Sequence, residues 1–412
     1  MNRRTGASKN RGPQLFPSFL RFFCSPFPRF CLHTGSWLLA TFCLSACSPA
    51  YVLRAGYEEA RILWNRKPIV EILQRPNLDE ATRAKLQLVL RVRQFAEHDL
   101  KFDVDGSYAT LSEIETPLLY VVSAAPKTKL EPYTWWFPII GSVAYKGYFK
   151  EDAARQEVQA LQRKDYDTAV VRALAFSTLG WFADPLLPHL LKFDQEILVN
   201  TIIHELLHST FYLAGETAFN ESLANFAGHR GAIAFFMHEF GGEAPLTRRA
   251  MTSWESELIL SSFFAESAEK LQALYSSSLS EEEKLRQREV LFTHLQEEFR
   301  TLPHPVRRNT DFASIKLNNA VFLQQYVYVK ELALFERVYQ QSGQSLQLAL
   351  AHIMEAAKKE DDPFAGVHLL TETSIPQSAE TTIGRAAIAN EETSLPLELS
   401  RPLVPRRSGP LL

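Results

Sequence analysis

Ile203-His204-Glu205-Leu206-Leu207-His208, followed at short range by Phe219-Asn220-Glu221-Ser222-Leu223-Ala224, is the stretch that decides how this 412-residue chain reads. His204 and His208 stand four apart, so on a helix they lie one turn apart on one face. Two neutral imidazoles there can bind one Zn²⁺, and Glu205 lies beside them, placed to take a proton from the metal's water. Such a site needs a third protein ligand and an open fourth position. Glu221 is the candidate. The first helix can run to about Leu213, Ala214-Gly215-Glu216-Thr217 can turn, and a second helix can start near Ala218. In an antiparallel hairpin His208 and Glu221 then face each other.

The flanks argue against a helix that holds its histidines by hydrogen bonds alone. Ile197, Leu198, Ile202, Ile203, Leu206, Leu207 and Phe211 place the helix in a core, where two His and a Glu are costly without a partner such as a metal. On the second helix Glu221, Asn225 and His229 recur at i, i+4 and i+8 among apolar residues. This polar stripe makes Asn225 a candidate to fix a ligating imidazole through its Nδ1–H. His229 is expected to pack or cap behind it, with donation to an oxyanion as the alternative.

The N-terminus carries a second signal. Residues 1–46 hold six basic residues and no acidic one, and Trp37-Leu38-Leu39-Ala40-Thr41-Phe42-Cys43 leads into Leu44-Ser45-Ala46-Cys47. Basic region, short apolar core and small residues are the order of a secretory signal, and the core is too short to span a bilayer. Cys after Leu-Ser-Ala resembles a bacterial lipobox, which implies cleavage before Cys47 and lipidation of its sulfur. All four Cys lie in the first 47 residues, so the processed chain keeps one, lipidated, and any metal must be held by His and carboxylate. Removing six positive charges from a net charge of −3 leaves −9 on the side chains of the body, which argues against a nucleic-acid partner.

Residues 55–101 read as helical, broken at Pro68 and Pro76. Residues 108–149 read as strands and a hairpin, from Leu118-Leu119-Tyr120-Val121-Val122 and the aromatic run Tyr133 to Tyr148. Glu151 to Tyr166 reads as an amphipathic helix and Thr168 to Phe176 as a strand. From Ser253 to Arg300 the chain is charged and helical, with Ser280 as an N-cap, and Asp311 to Lys358 is helical with a break near Gly343. From Asp361 periodicity is lost and the composition is that of a disordered tail. The expected organisation is a signal peptide over 1–46, one domain over 47–360 and a tail over 361–412. The fold class is α+β, mostly helical with a small mixed β-sheet lobe before the histidine helix, the order of the upper lobe of zincin metallopeptidases.

Phe137-Pro138-Ile139-Ile140-Gly141, Tyr145-Lys146-Gly147-Tyr148-Phe149 and Ser177-Thr178-Leu179-Gly180-Trp181-Phe182-Ala183-Asp184-Pro185 join the two stretches quoted first and Leu317-Asn318-Asn319-Ala320. Together these segments resemble a family of bacterial lipoproteins described as putative aminopeptidases, from Cys47 to roughly Lys358. The resemblance implies a zincin-like, gluzincin-type fold, a zinc site and a peptidase role in the cell envelope, facing the periplasm where there is an outer membrane.

The expected chemistry is hydrolysis of a peptide, with His204, His208 and Glu221 on Zn²⁺ and Glu205 as general base and then acid. Tyr145, Tyr148 and Tyr326 are the candidate oxyanion donors, Tyr148 preferred for its Gly-flanked turn. Glu216 is the candidate carboxylate for a substrate's free α-amine. Two other functions stay open: an envelope endopeptidase, and a non-catalytic lipoprotein that keeps zinc for structure as a binding or assembly module. Glu205 separates the last from the others, since a structural site has no use for an unligated carboxylate.

Overall fold

The computed structural model describes residues 49–114, 119–137, 141–173, 183–303 and 312–372. The signal segment and Cys47, residues 177–182 of the Ser177–Pro185 motif, and the chain beyond Glu372 lie outside the described residues. The elements are α1 (Pro49–Trp64), β1 (Arg66–Pro68), α2 (Ile69–Ile72), α3 (Glu80–His98), β2 (Thr110–Ser112), β3 (Leu119–Pro126), β4 (Trp135–Phe137), β5 (Gly141–Val143), β6 (Lys146–Tyr148), α4 (Glu151–Gln162) and β7 (Tyr166–Ala173). A 3₁₀ turn at Pro188–Lys192 leads to α5 (Gln195–Thr210), α6 (Thr217–Phe240), α7 (Pro245–Ser276), α8 (Glu281–Thr301), α9 (Asn319–Val329), α10 (Leu332–Gln341), α11 (Leu346–Ala356) and α12 (Pro363–Glu372).

The α5–α6 hairpin is the centre of the main core. Ile202, Ile203, Leu206 and Leu207 of α5 are fully buried, each contributing about 1.5–3 kcal/mol. The helix ends at Thr210, three residues before the expected Leu213, because Phe211 turns to extended backbone (φ −149°, ψ 125°) and packs on Phe219. Asn220 then fixes the connection. Its Oδ1 accepts from the Leu213 amide at 2.9 Å and its Nδ2 donates to the Leu213 carbonyl at 2.7 Å. Further along α6, Gly228 and Gly231 let the helices close. A Cβ at Gly228 would sit 2.5 Å from Asn200 Oδ1, and one at Gly231 2.9 Å from Ile203. Glycine costs helix stability, but here it permits the approach that brings Glu221 to the histidines.

The strand lobe has the order β6-β3-β7, with β4–β5 and β1–β2 as separate pairs. All these ladders are antiparallel, so the expected mixed sheet is replaced by antiparallel pairing. The reason is local: β3 is followed by a hairpin-like excursion and α4 returns β7 alongside β3 from Leu119↔Ala173 to Pro126↔Tyr166. α4 stops at Gln162, and Tyr166, expected at the end of that helix, opens β7. The order strand, helix, strand, histidine helix is the expected one.

The Leu317–Ala320 motif ties this lobe to the helices. Asn319 Nδ2 donates to the carbonyls of Pro126, Lys127 and Lys129, and its amide donates to Asp167. Asn318 caps α9 by accepting from Val321 and donates to the Thr168 carbonyl. Arg288 joins Asp167 at 2.8 Å in the same buried cluster. Ser280 caps α8, as its position predicts. The first part of the stretch expected as tail from Asp361 is instead helix, and α12 packs on the core. Asp362 Oδ1 accepts from the Phe364 amide, Pro363 occupies the first helical position, and Phe364 lies against Phe219 and Phe335.

Candidate metal centre

His204 and His208 project one turn apart from α5 and meet Glu221 from the first turns of α6. Their Nε2 atoms lie 3.3 Å apart, and Glu221 Oε2 is 3.4 Å from His204 Nε2 and 3.6 Å from His208 Nε2. Four-coordinate zinc with bonds of about 2.0–2.1 Å separates its ligand atoms by about 3.3–3.4 Å. The triangle therefore fits one tetrahedral ion, and it is the group of His and carboxylate ligand atoms that converges this closely among the described residues. Burial opposes ionisation of Glu221, but the two imidazoles, His208 foremost, outweigh it and hold the carboxyl well below its usual range.

Glu205 lies within the same site. Burial raises its pKa, and the imidazoles of His204 and His208 only partly offset this. Tyr145 donates its hydroxyl to Glu221 Oε1 at 3.3 Å, leaving Oε2 toward the imidazoles. The ring of Tyr328, near the end of α9, lies 6.2 Å from that of His204. Charge on Glu221, then burial, keeps the Tyr328 phenol protonated far above neutrality, and burial followed by Glu221 does the same for Tyr145. Both are hydrogen-bond donors at physiological pH.

These residues line a cleft of about 1510 Å³ between the strand lobe and helices α5, α6, α7 and α9. That exceeds the range of small-ligand pockets and suits an extended polymer. Tyr145, Tyr326, Tyr328, Glu216 and Glu59 reach its wall. Tyr148, the preferred oxyanion donor from sequence, does not. Strand alternation puts Gly147 on the cleft side and Tyr148 on the other, inside the small core of Val122, Trp135 and Val143. Glu59 was not foreseen. Burial and then Asp184 raise its carboxyl to about 7.

A family model described as "Putative aminopeptidase" matches residues 50–363. The chain belongs to that family. No curated protein and no solved structure matches it.

In this member of the family the cleft wall is braced from α6. Ser222 Oγ donates to the Val327 carbonyl at 3.0 Å, and Asn225 Nδ2 donates to the Tyr328 carbonyl at 2.9 Å and to Glu257 Oε2 at 3.1 Å. The last carbonyls of α9 lack partners within their own helix, so these side chains satisfy them and hold Tyr328 beside His204. Asn225 was expected to accept from a ligating imidazole. Its amide nitrogen instead turns toward α7 and α9, the side from which Glu257 and the Tyr328 carbonyl approach. His229 is buried against Trp254, where burial and then His204 lower its pKa to about 3. The imidazole there is neutral at physiological pH.

Burial raises Glu257 to about 7, with Asn225 opposing. A carboxyl whose folded pKa is raised takes up protons on folding, so its contribution is full below about pH 4.5 and is lost as pH rises through 7. Glu257→Gln keeps an acceptor for Asn225 and removes that loss. The variant should gain on the order of 1–3 kcal/mol over wild type at pH 8 and little at pH 4.5. Urea unfolding at both pH values measures this, and an equal difference at the two would refute the buried-acid account.

Proposed function

We propose that the protein is a zinc-dependent peptidase of the bacterial cell envelope with a zincin-like fold, anchored by lipid on Cys47, and that it acts as an aminopeptidase. Membership of the family supports peptide hydrolysis. The observation that carries the metal reading is the convergence of His204, His208 and Glu221 with Glu205 beside them. When bound, the ion would supply Lewis acidity that polarises a carbonyl and acidifies water. Glu205 accepts the proton released on attack and hands it to the departing amine. Tyr328 or Tyr145 donates toward the oxyanion, while the cleft holds the peptide in extended form.

Purified protein with about one zinc per chain should hydrolyse a mixed peptide library, lose activity with chelator and regain it with zinc. His204→Ala should hold little metal. Wild-type metal content in that variant would rule out the site, and activity unaffected by chelator would rule out the chemistry.

The exopeptidase reading needs a carboxylate for the α-amine. Glu216 stands at the N-cap of α6 on the cleft wall, its carboxyl raised by burial and then by Asp362, against Lys330. Glu216→Ala is expected to cost activity on free-amine peptides far more than on N-acetylated ones. Equal wild-type cleavage of both would make the protein an endopeptidase, the reading that the cleft volume favours. The remaining reading, a lipoprotein with structural zinc, predicts a metal-loaded protein that cleaves neither.

A further inference from the structure

We propose that α1 lies flat on an anionic membrane surface through Tyr57 and Trp64. This rests in part on the reading of Cys47 as the lipid attachment. Trp64 is 89% exposed and Tyr57 66%, although both belong to residue types that proteins bury. Seven residues apart, they differ by about 20° around the helix, so the two rings share a face. The opposite side is occupied: Ile62 is buried and Glu59 lines the cleft.

The charges around these rings match an anionic surface, and the proposed attachment at Cys47 makes the bilayer the surface at hand. Glu58 is buried and held by Arg54 at 3.3 Å and Arg61 at 3.0 Å, and Glu59 turns to the cleft. The exposed charge from Arg54 to Lys67 is therefore basic, on a body whose side chains otherwise sum to an acidic excess. Trp and Tyr rings settle at headgroup level, and basic side chains reach up from there to anionic headgroups.

Chain length adds a constraint. From Cys47 to Pro49 the backbone spans at most about 7 Å, so a lipidated Cys47 holds the start of α1 at the bilayer surface. The helix is about 24 Å long and could stand away from the membrane or lie along it. Aromatic side chains at both its middle and its end select the second. The cleft-lining Glu59 then sits on the reverse of the membrane-bound helix, which fixes the orientation of the site relative to the bilayer.

The test uses full-length-expressed protein purified from membranes and reconstituted in phosphatidylcholine–phosphatidylglycerol vesicles, with or without lipid brominated near the headgroup. The emission of wild type minus Trp64→Phe reports Trp64 alone. Bromolipid should quench that difference signal and aqueous iodide should not. Quenching by iodide but not bromolipid overturns the proposal, as does shielding from both, which would mean that another protein surface covers the face. Mass analysis of the N-terminal peptide reads the acyl chains separately. Should they be missing, sedimentation of the same protein with these vesicles replaces reconstitution. Wild type should then pellet, Tyr57→Ser with Trp64→Ser should not, and Lys67→Gln should weaken partition roughly fivefold. Missing acyl chains refute the anchor alone, and failure of the wild type to pellet refutes α1 binding.

Discussion

Glu205→Gln should keep its metal and its fold while losing about two to four orders of magnitude in kcat/KM on any peptide the wild type cleaves. The amide matches the carboxyl in shape and can still accept a hydrogen bond, but it cannot take up a proton. The environment makes the comparison clean. Glu205 is carried by a helix whose apolar side is fully buried, and burial already disfavours its charge. Neutralising it removes a desolvation cost, so the melting temperature should hold or rise. The atoms placed to hold the proposed metal come from His204, His208 and Glu221, which the substitution leaves in place. Elemental analysis, thermal unfolding and peptide kinetics on one preparation decide the matter. Metal lost together with activity would make Glu205 a ligand, and hydrolysis within a few-fold of wild type would remove it from the chemistry.

How much of this site could be read from sequence depends on how far apart its parts lie in the chain. The histidine pair and Glu221 were legible because all three sit within one helical hairpin, where the 3.6-residue period alone sets which side chains meet. The brace behind them was not. Ser222 and Asn225 reach carbonyls of Val327 and Tyr328 more than one hundred residues away, and no local pattern announces such a contact. Asn225 lies on the helix face that its spacing gives, but the Tyr328 carbonyl that its Nδ2 meets is 103 residues away. Tyr148 differs: its Gly-flanked position suggests a turn at the site, but alternation along β6 sends Gly147 and Tyr148 to opposite sides. The strand lobe was legible as strands, whereas the pairing of β3 with β7 across α4 is a tertiary fact. The ten residues of α12 carry too little periodicity to stand out from a tail-like composition, although Asp362-Pro363 is a helix start signal.

Tyr328 and Tyr145 should separate on substitution by Phe. Tyr328 comes to the site from α9, its carbonyl pinned by Asn225 and its ring beside His204. It lines the cleft, which places it to meet a substrate's developing charge. Losing one such donor costs about 10²–10³ in kcat, with KM little changed, because the bond strengthens only as charge develops. Tyr145 instead spends its hydroxyl on Glu221 Oε1. Tyr145→Phe removes a partner of the carboxylate proposed as a ligand, and such losses weaken metal affinity by about 10–100-fold. At saturating zinc its kcat should return close to wild type, whereas that of Tyr328→Phe should not. Zinc titrations of activity on the two variants provide the comparison. If excess zinc rescues Tyr328→Phe and fails to rescue Tyr145→Phe, the roles are reversed, and the oxyanion donor is the tyrosine of the strand lobe rather than that of α9.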